Sequence, residues 1–197
     1  MLGKQLLLAE EETLMSDKQL VEQCSPTLAG LKTGNLFRCS FRSREGLNSE
    51  IRQLNRQLGR KGIRVVVLSV GESSALIYLY RPDHLQRDMD DPTARRLLQE
   101  RGYPVDDLGR CVVHLQHRIS KCEEFPHEIG LFLGYPPKDV QGFLEKGPHR
   151  CKCTGCWKVY GDVASARSTF SRYKKCTAAY SRMIEKGKTI EQLTVAV

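Results

Sequence analysis

Apolar residues follow two different spacings along the chain, and the change between them predicts an α+β fold. The spacing of three to four residues that is typical of amphipathic helices recurs at about 13–24, 44–59, 83–89 with 92–101, 105–121, 137–146 and 163–186. Apolar runs at 36–41, 63–70 and 75–81 predict strands, and residues 157–160 predict a short fourth strand. We therefore expect a small mixed sheet of three to four strands packed by about six helices.

The connections between these elements predict part of the topology. Residues 71–74 form a short turn between two apolar runs, which indicates an antiparallel hairpin whose strands are covered on both faces. The order of strand, helix and strand over residues 36–70 also permits a right-handed crossover. Pro26 is expected to stop the first helix, and residues 24–37 are expected to form a turn-rich loop before the first strand.

The chain length of 197 residues favours one domain, residues 1–197, with a flexible segment at 1–12 and a tail at 188–197. The hydrophobic content of 40% and the charged content of 27% are ordinary for a soluble globular protein. No apolar run approaches the ~20 residues that span a bilayer, and the N-terminus lacks a signal-peptide cleavage site. These features predict a cytoplasmic protein without a membrane partner.

The net charge of +8 is concentrated near the C-terminus. Residues 146–188 contain eleven Lys and Arg residues but only two acidic residues. Such a segment is compatible with a nucleic-acid partner. No helix-turn-helix, RNA-recognition or zinc-finger signature accompanies it, so a solvated basic helix face is favoured. An unidentified small molecule or protein is the expected partner, with nucleic acid as an alternative.

Half of the eight cysteines lie in or near one cluster. Cys151, Cys153 and Cys156 form a C-x-C-x2-C pattern, and Cys176 follows on the last long helix. Thiolates at this spacing can bind zinc or an iron–sulfur cluster, with Cys176 or His149 as the fourth ligand. The spacing is not that of a standard zinc ribbon, so free thiols or core residues are the favoured interpretation.

Residues 125–136, FPHEIGLFLGYP, combine ionisable, aromatic and turn-forming side chains. His127 beside Glu128 suits acid–base chemistry. The zinc-protease pattern H-E-x-x-H is absent, because its second histidine would fall at Leu131. In the alternative interpretation, Glu128 caps a helix or pairs with an arginine while His127 fills a polar gap.

The loop at 26–37 and the segment at 125–136 both place polar groups beside glycines, which let a backbone approach a ligand closely. We therefore predict a small-ligand pocket between these two segments. Its polar groups would be Lys32, His127, Glu128 and Tyr135.

A cysteine-dependent hydrolase or transferase is a further alternative, in which Cys24 acts with His127. The candidate catalytic residues are therefore Cys24, His127 and Glu128. Cys24 is predicted to lie at the C-terminal end of a helix. The helix dipole raises the pKa of a thiol at that position, which disfavours a reactive nucleophile.

Four strings, PTLAGLKTGNLF, FPHEIGLFLGYPPKDVQGFL, WKVYGD and KKCTAAYSRM, resemble a domain-of-unknown-function family found mostly in anaerobic Firmicutes. The resemblance covers about residues 20–186. It implies no established activity, cofactor or substrate. It does imply an anaerobic bacterial cytoplasm, in which free thiols and iron–sulfur chemistry both survive. The marked residues of the family correspond to Pro26, Lys32, His127, Glu128, Gly130, Gly134, Tyr135, Pro136, Trp157 and Tyr160.

Overall fold

The computed structural model describes residues 15–121 and 124–196. The predicted flexible segment at 1–12 and the thiol of Cys122 lie outside these residues. Within the described part of the chain, no helix is both long and apolar enough to cross a membrane.

The sheet has three strands, β1 (Gly34–Ser40), β2 (Arg64–Val70) and β3 (Ser74–Tyr80), in the order β1-β3-β2. Both outer strands pair antiparallel with β3, so the predicted α+β class and the predicted hairpin are confirmed. β1 and β2 run in the same direction on either side of β3, and helix α2 (Arg44–Gly59) connects them. The crossover segment therefore joins two strands that are not hydrogen-bonded neighbours.

Helices cover both faces of the sheet, because alternate side chains of β3 enter two separate cores. Ile77 and Leu79 pack with helices α1 (Asp17–Leu28), α2 and α9 (Ile190–Leu193). Tyr78 and Tyr80 pack on the opposite face, under the remaining short helices. These are α3 (Pro82–Met89), α4 (Pro92–Gln99), α5 (Leu108–Lys121), α6 (Ile129–Phe132) and α7 (Pro137–Lys146).

A third cluster joins the C-terminal elements. The long helix α8 (Val163–Glu185) packs along α1, and a small hairpin of β4 (Cys153–Thr154) and β5 (Lys158–Val159) lies beside it. Trp157 and Val159 of the hairpin are buried against Ala166 and Tyr173 of α8. The segment predicted as a tail contains α9, whose Ile190 and Leu193 are buried in the core under α1 and α2.

The prediction that Pro26 stops the first helix is wrong, because α1 continues to Leu28. Pro26 cannot donate a backbone hydrogen bond to the carbonyl of Glu22. Glu22 is exposed, so water can satisfy that carbonyl. The helix ends at Leu28, and Gly30 two residues later has a φ of 71°, the left-handed conformation that commonly follows the end of a helix.

Arg81 holds three distant parts of the chain together behind this helix end. Its side chain is 1% exposed. The guanidinium donates hydrogen bonds to the carbonyls of Thr27 at 2.7 Å, Leu28 at 2.7 Å, Lys61 at 3.0 Å and Val195 at 2.7 Å. It therefore links the end of α1 to the segment before β2 and to the C-terminal residues, and burial lowers its pKa.

Candidate functional site

The loop that carries Lys32 is fixed by the end of α1. The backbone N–H of Leu31 donates to the carbonyl of Pro26 at 2.8 Å, and that of Gly30 donates to the carbonyl of Thr27 at 3.1 Å. These two bonds form the hydrogen-bond pattern of a Schellman motif. The N–H of Lys32 also donates to the Pro26 carbonyl, at 3.1 Å. Lys32 is thereby held between a helix and a strand.

Lys32 is buried, with 9% of its surface exposed, and its Nζ lies 5.5 Å from the centroid of the Tyr135 ring. Within residues 15–121 and 124–196, no carboxylate lies within ion-pairing distance of Nζ, and no group accepts a hydrogen bond from it. Burial lowers the pKa of Lys32 to about 8, although Cys24 and Cys156 oppose this shift. A lysine in this state is both a desolvated cation and a partly neutral amine.

A cavity of about 620 Å³ opens beside Lys32, between α8 and the loop after α1. Its walls are mainly apolar and include Leu36, Leu133 and Phe170, while Tyr173 adds a buried ring. The 26–37 loop and the 125–136 segment, which the sequence predicts to line one pocket, are therefore adjacent at this cavity. Both contribute to its lining, the first through Lys32 and Leu36 and the second through Leu133 and Tyr135.

Stacked aromatic rings keep Tyr135 in place at this cavity. Its ring centroid lies 5.1 Å from that of Trp157, and the rings of Trp157 and Phe170 meet edge to face at a centroid distance of 4.5 Å. The hydroxyl of Tyr135 donates to the Cys156 carbonyl at 3.3 Å. Burial raises the pKa of Tyr135 to about 12, so this hydroxyl stays protonated at neutral pH.

A second cavity, of about 300 Å³, is also lined by Lys32 and Tyr173. Thr33 Oγ1 donates a hydrogen bond to Asp88 Oδ2 at its edge. Gly134 has a φ of 73°, and a Cβ at this position would lie 2.6 Å from Thr33 Oγ1. Only glycine therefore fits between the two segments that meet here.

The carboxyl group of Asp88 and the ring of His84 both line the second cavity. Burial raises the pKa of Asp88 and lowers that of His84. The ionisable and charged groups around Lys32 thus come from five parts of the fold: Cys24, Asp88 with His84 and Arg87, Tyr135, Cys156, and Tyr173 with Lys174.

Glu128 lies away from this cavity, in the core between α5 and α6. It is 2% exposed and accepts a hydrogen bond from the Tyr103 hydroxyl at 2.9 Å. Arg118 and Arg101 form ion pairs with it at 3.3 Å and 3.8 Å. Burial, reinforced by Glu128, raises the pKa of Tyr103. Glu128 is thus paired with arginines, which is one of the two interpretations that the sequence allows.

His127 is exposed and lies at a different cleft, of about 210 Å³. Its ring packs against Phe143 at a centroid distance of 4.8 Å. Tyr135 contributes to both this cleft and the larger cavity, whereas His127 does not line the cavity of Lys32. Of the four predicted ligand-binding residues, the structure brings Lys32 and Tyr135 together and leaves the other two outside.

The four cysteines predicted as metal ligands lie in different surroundings. Cys153 packs in the third cluster, Cys156 is exposed beside Lys32, and Cys151 and Cys176 are half-buried. Among the described residues, no group of three or more His, Cys, Asp or Glu side chains is arranged to hold a metal ion. The structure therefore does not bring these thiols together in the arrangement expected for zinc or an iron–sulfur cluster.

Cys24, the predicted nucleophile, is fully buried inside α1. It does not lie at the helix end, because α1 continues past it to Leu28. Burial raises the pKa of the Cys24 thiol, and the charge of Lys32 only partly opposes this effect. A thiol that resists ionisation is a poor nucleophile.

Most of the residues that line the cavity were not predicted as site residues, including two aromatic residues of α8. Phe170 and Tyr173 belong to the apolar stripe of α8, which the helical spacing assigns to the core. Only Tyr173 of the two is buried. The stripe also contains Thr177, which lines the cavity as well. A polar residue within an apolar stripe was therefore the signal in the sequence that this face of α8 borders a cavity.

These features define a class: an α+β protein with a three-stranded antiparallel sheet between helical layers, and a lysine-containing cavity beside its longest helix. The chain belongs to the DUF3793 family, described as proteins of unknown function, whose model matches residues 20–194. The predicted membership of a domain-of-unknown-function family is confirmed. The predicted origin of the chain in anaerobic Firmicutes stays a prediction. Neither the comparison with curated proteins nor that with solved structures gave a match.

Proposed function

We propose that the protein binds a small organic anion in the cavity beside Lys32. A carboxylate of the ligand would face Nζ, and its apolar part would contact Leu36, Leu133 and Phe170. One observation carries this proposal: the buried Lys32 lines a large cavity, and no carboxylate among the described residues lies within ion-pairing distance of its ammonium group. Buried charges are costly unless they are paired, and an anionic ligand would supply the pair.

The surroundings of the cavity support an anion rather than a cation. Lys174 lines the cavity, and the segment 146–188 has eleven basic and two acidic residues. A surface with this excess of positive charge raises the local concentration of anions and their rate of association. The mainly apolar walls favour an organic anion over an inorganic one.

Trp157 gives a direct assay for binding. It is the one tryptophan in the sequence, and it stacks on Tyr135, which lines the cavity. Benzoate and octanoate are suitable probes, and benzamide serves as a neutral control of similar shape. We expect saturable changes of Trp157 fluorescence with the two carboxylates at millimolar concentrations, and a weaker response to benzamide.

Substitution of Lys32 tests whether its charge carries the affinity. A hydrogen bond to a charged group contributes about 1.5–3 kcal/mol, so Lys32→Met should weaken carboxylate binding roughly 10- to 150-fold. Lys175→Met is the matched control, because Lys175 is an exposed lysine of α8 that does not line the cavity. Equal binding of benzoate and benzamide, or unchanged affinity in Lys32→Met, would contradict the proposal.

A further inference from the structure

We infer that the anion is a 2-oxo acid with an apolar side chain, and that Lys32 Nζ holds its carbonyl carbon as a protonated imine. This inference rests on the proposed function and specifies the ligand of the same cavity. It assigns to Lys32 a covalent role in addition to charge pairing.

The position of Lys32 meets the requirements for imine formation. Nζ lies against the face of the Tyr135 ring, and its residue lines a cavity large enough for a small organic molecule. No carboxylate among the described residues is close enough to hold the amine in its charged form. Apolar surroundings of this kind activate lysine as a nucleophile.

The protonation state of Lys32 agrees with this geometry. Its pKa is lowered to about 8 by burial. About a tenth of the side chain is then neutral at pH 7, which is roughly two orders of magnitude more than for an exposed lysine. The neutral fraction supplies the nucleophile, and the charged fraction attracts the carboxylate.

The reaction balances without an oxidant or a reductant. The lone pair of Nζ adds to the carbonyl carbon, and a proton passes from nitrogen to the carbonyl oxygen to give a carbinolamine. The hydroxyl group then leaves with a proton as water, and the carbon–nitrogen double bond forms. A proton taken up by the imine nitrogen restores the positive charge beside the ligand carboxylate.

Reductive trapping with phenylpyruvate tests this inference. Cyanoborohydride delivers hydride to the imine carbon and leaves a stable secondary amine, which adds mass to one lysine. We expect a single adduct on the wild-type protein, located at Lys32 by peptide mapping. Excess benzoate should slow its formation, because both molecules occupy the same cavity.

Two substitutions separate charge from nucleophilicity. Lys32→Arg keeps a positive charge but cannot form an imine, so it should give no adduct. Lys32→Met keeps a chain of similar length and should lose both properties. The second variant, together with peptide mapping of the wild type, keeps the test decisive if the larger arginine prevents folding.

The outcomes distinguish this inference from the proposed function. If phenylpyruvate changes Trp157 fluorescence but gives no adduct after reduction, the imine is excluded and anion binding stands. Adducts spread over the exposed lysines, or equal labelling of Lys32→Met, would also overturn the inference. If none of the carboxylates changes the fluorescence, the proposed function fails together with the inference.

Discussion

Replacement of Lys32 by methionine should stabilise the protein at neutral pH, although it removes the proposed anchor of the ligand. Burial lowers the pKa of Lys32 from 10.5 to about 8. At 1.36 kcal/mol for each pKa unit, the charged lysine costs the folded state about 3 kcal/mol. Lys32 is only 9% exposed, so solvent screens little of this cost. Methionine keeps most of the apolar stem and carries no charge.

The sign of the pH dependence follows from proton binding. Below pH 8 the lysine is charged in both the folded and the unfolded state, so the full cost is present. Between about pH 8 and pH 10.5 the unfolded state binds more protons than the folded state, and stability therefore rises with pH. Above pH 10.5 both states are neutral and the cost has disappeared.

Urea unfolding at pH 7 and pH 10 measures this effect. We expect the free energy of unfolding of Lys32→Met to exceed that of the wild type by about 2–3 kcal/mol at pH 7, and by much less at pH 10. Other thiols and tyrosines titrate in this range, so the difference between the two proteins is the informative quantity. Lys175→Met should behave as the wild type. The reasoning fails if Lys32→Met is less stable at pH 7, or if the difference is the same at both pH values.

Three further predictions concern binding and stability. The affinity for benzoate should be constant below about pH 8 and should fall up to tenfold for each further pH unit, because only the charged form of Lys32 pairs with a carboxylate; a flat fluorescence titration from pH 7 to pH 10 would refute this. Arg81→Met leaves four carbonyls without their donor and should lower the free energy of unfolding by roughly 3–5 kcal/mol in urea; a loss below about 1 kcal/mol would show that water replaces the guanidinium. Glu128→Gln should lower the free energy of unfolding by roughly 1–3 kcal/mol without changing the affinity for benzoate. His127→Ala should also leave the affinity for benzoate unchanged. Weaker benzoate binding in either variant would show that the substituted residue contributes to the binding site.

The main helices and strands could be predicted because their apolar spacings are long and regular. β3 is a nearly continuous apolar run and is buried on both faces, as its composition indicates. α6 and α9 have four residues each, which is too short for a helical period to appear in the sequence. The rule for proline predicts a helix stop at Pro26, but it takes no account of the Schellman motif at Gly30 that ends the helix later.

The site was only partly predictable, for a different physical reason. Lys32 and Tyr135 belong to turn-rich segments, and that local signal was sufficient to pair them. Within the second segment, however, the short turn of α6 separates Glu128 from Tyr135, and no residue spacing encodes that separation. Phe170 and Tyr173 of α8, which line the cavity together with Lys32, are far away from it in sequence. The burial and the lowered pKa of Lys32 therefore result from long-range packing and not from a local motif.

The pKa of Lys32 itself, measured with and without a ligand, tests the central claim most directly. Carbon-13 labelling of the lysine ε-carbons and assignment of the Lys32 signal by its loss in Lys32→Met would give this pKa by NMR titration. We expect a value near 8 in the free protein and a clearly higher value with saturating benzoate, because the bound carboxylate favours the charged form. A Lys32 signal that titrates with the exposed lysines near pH 10.4, or that does not respond to benzoate, would contradict anion binding at this buried lysine.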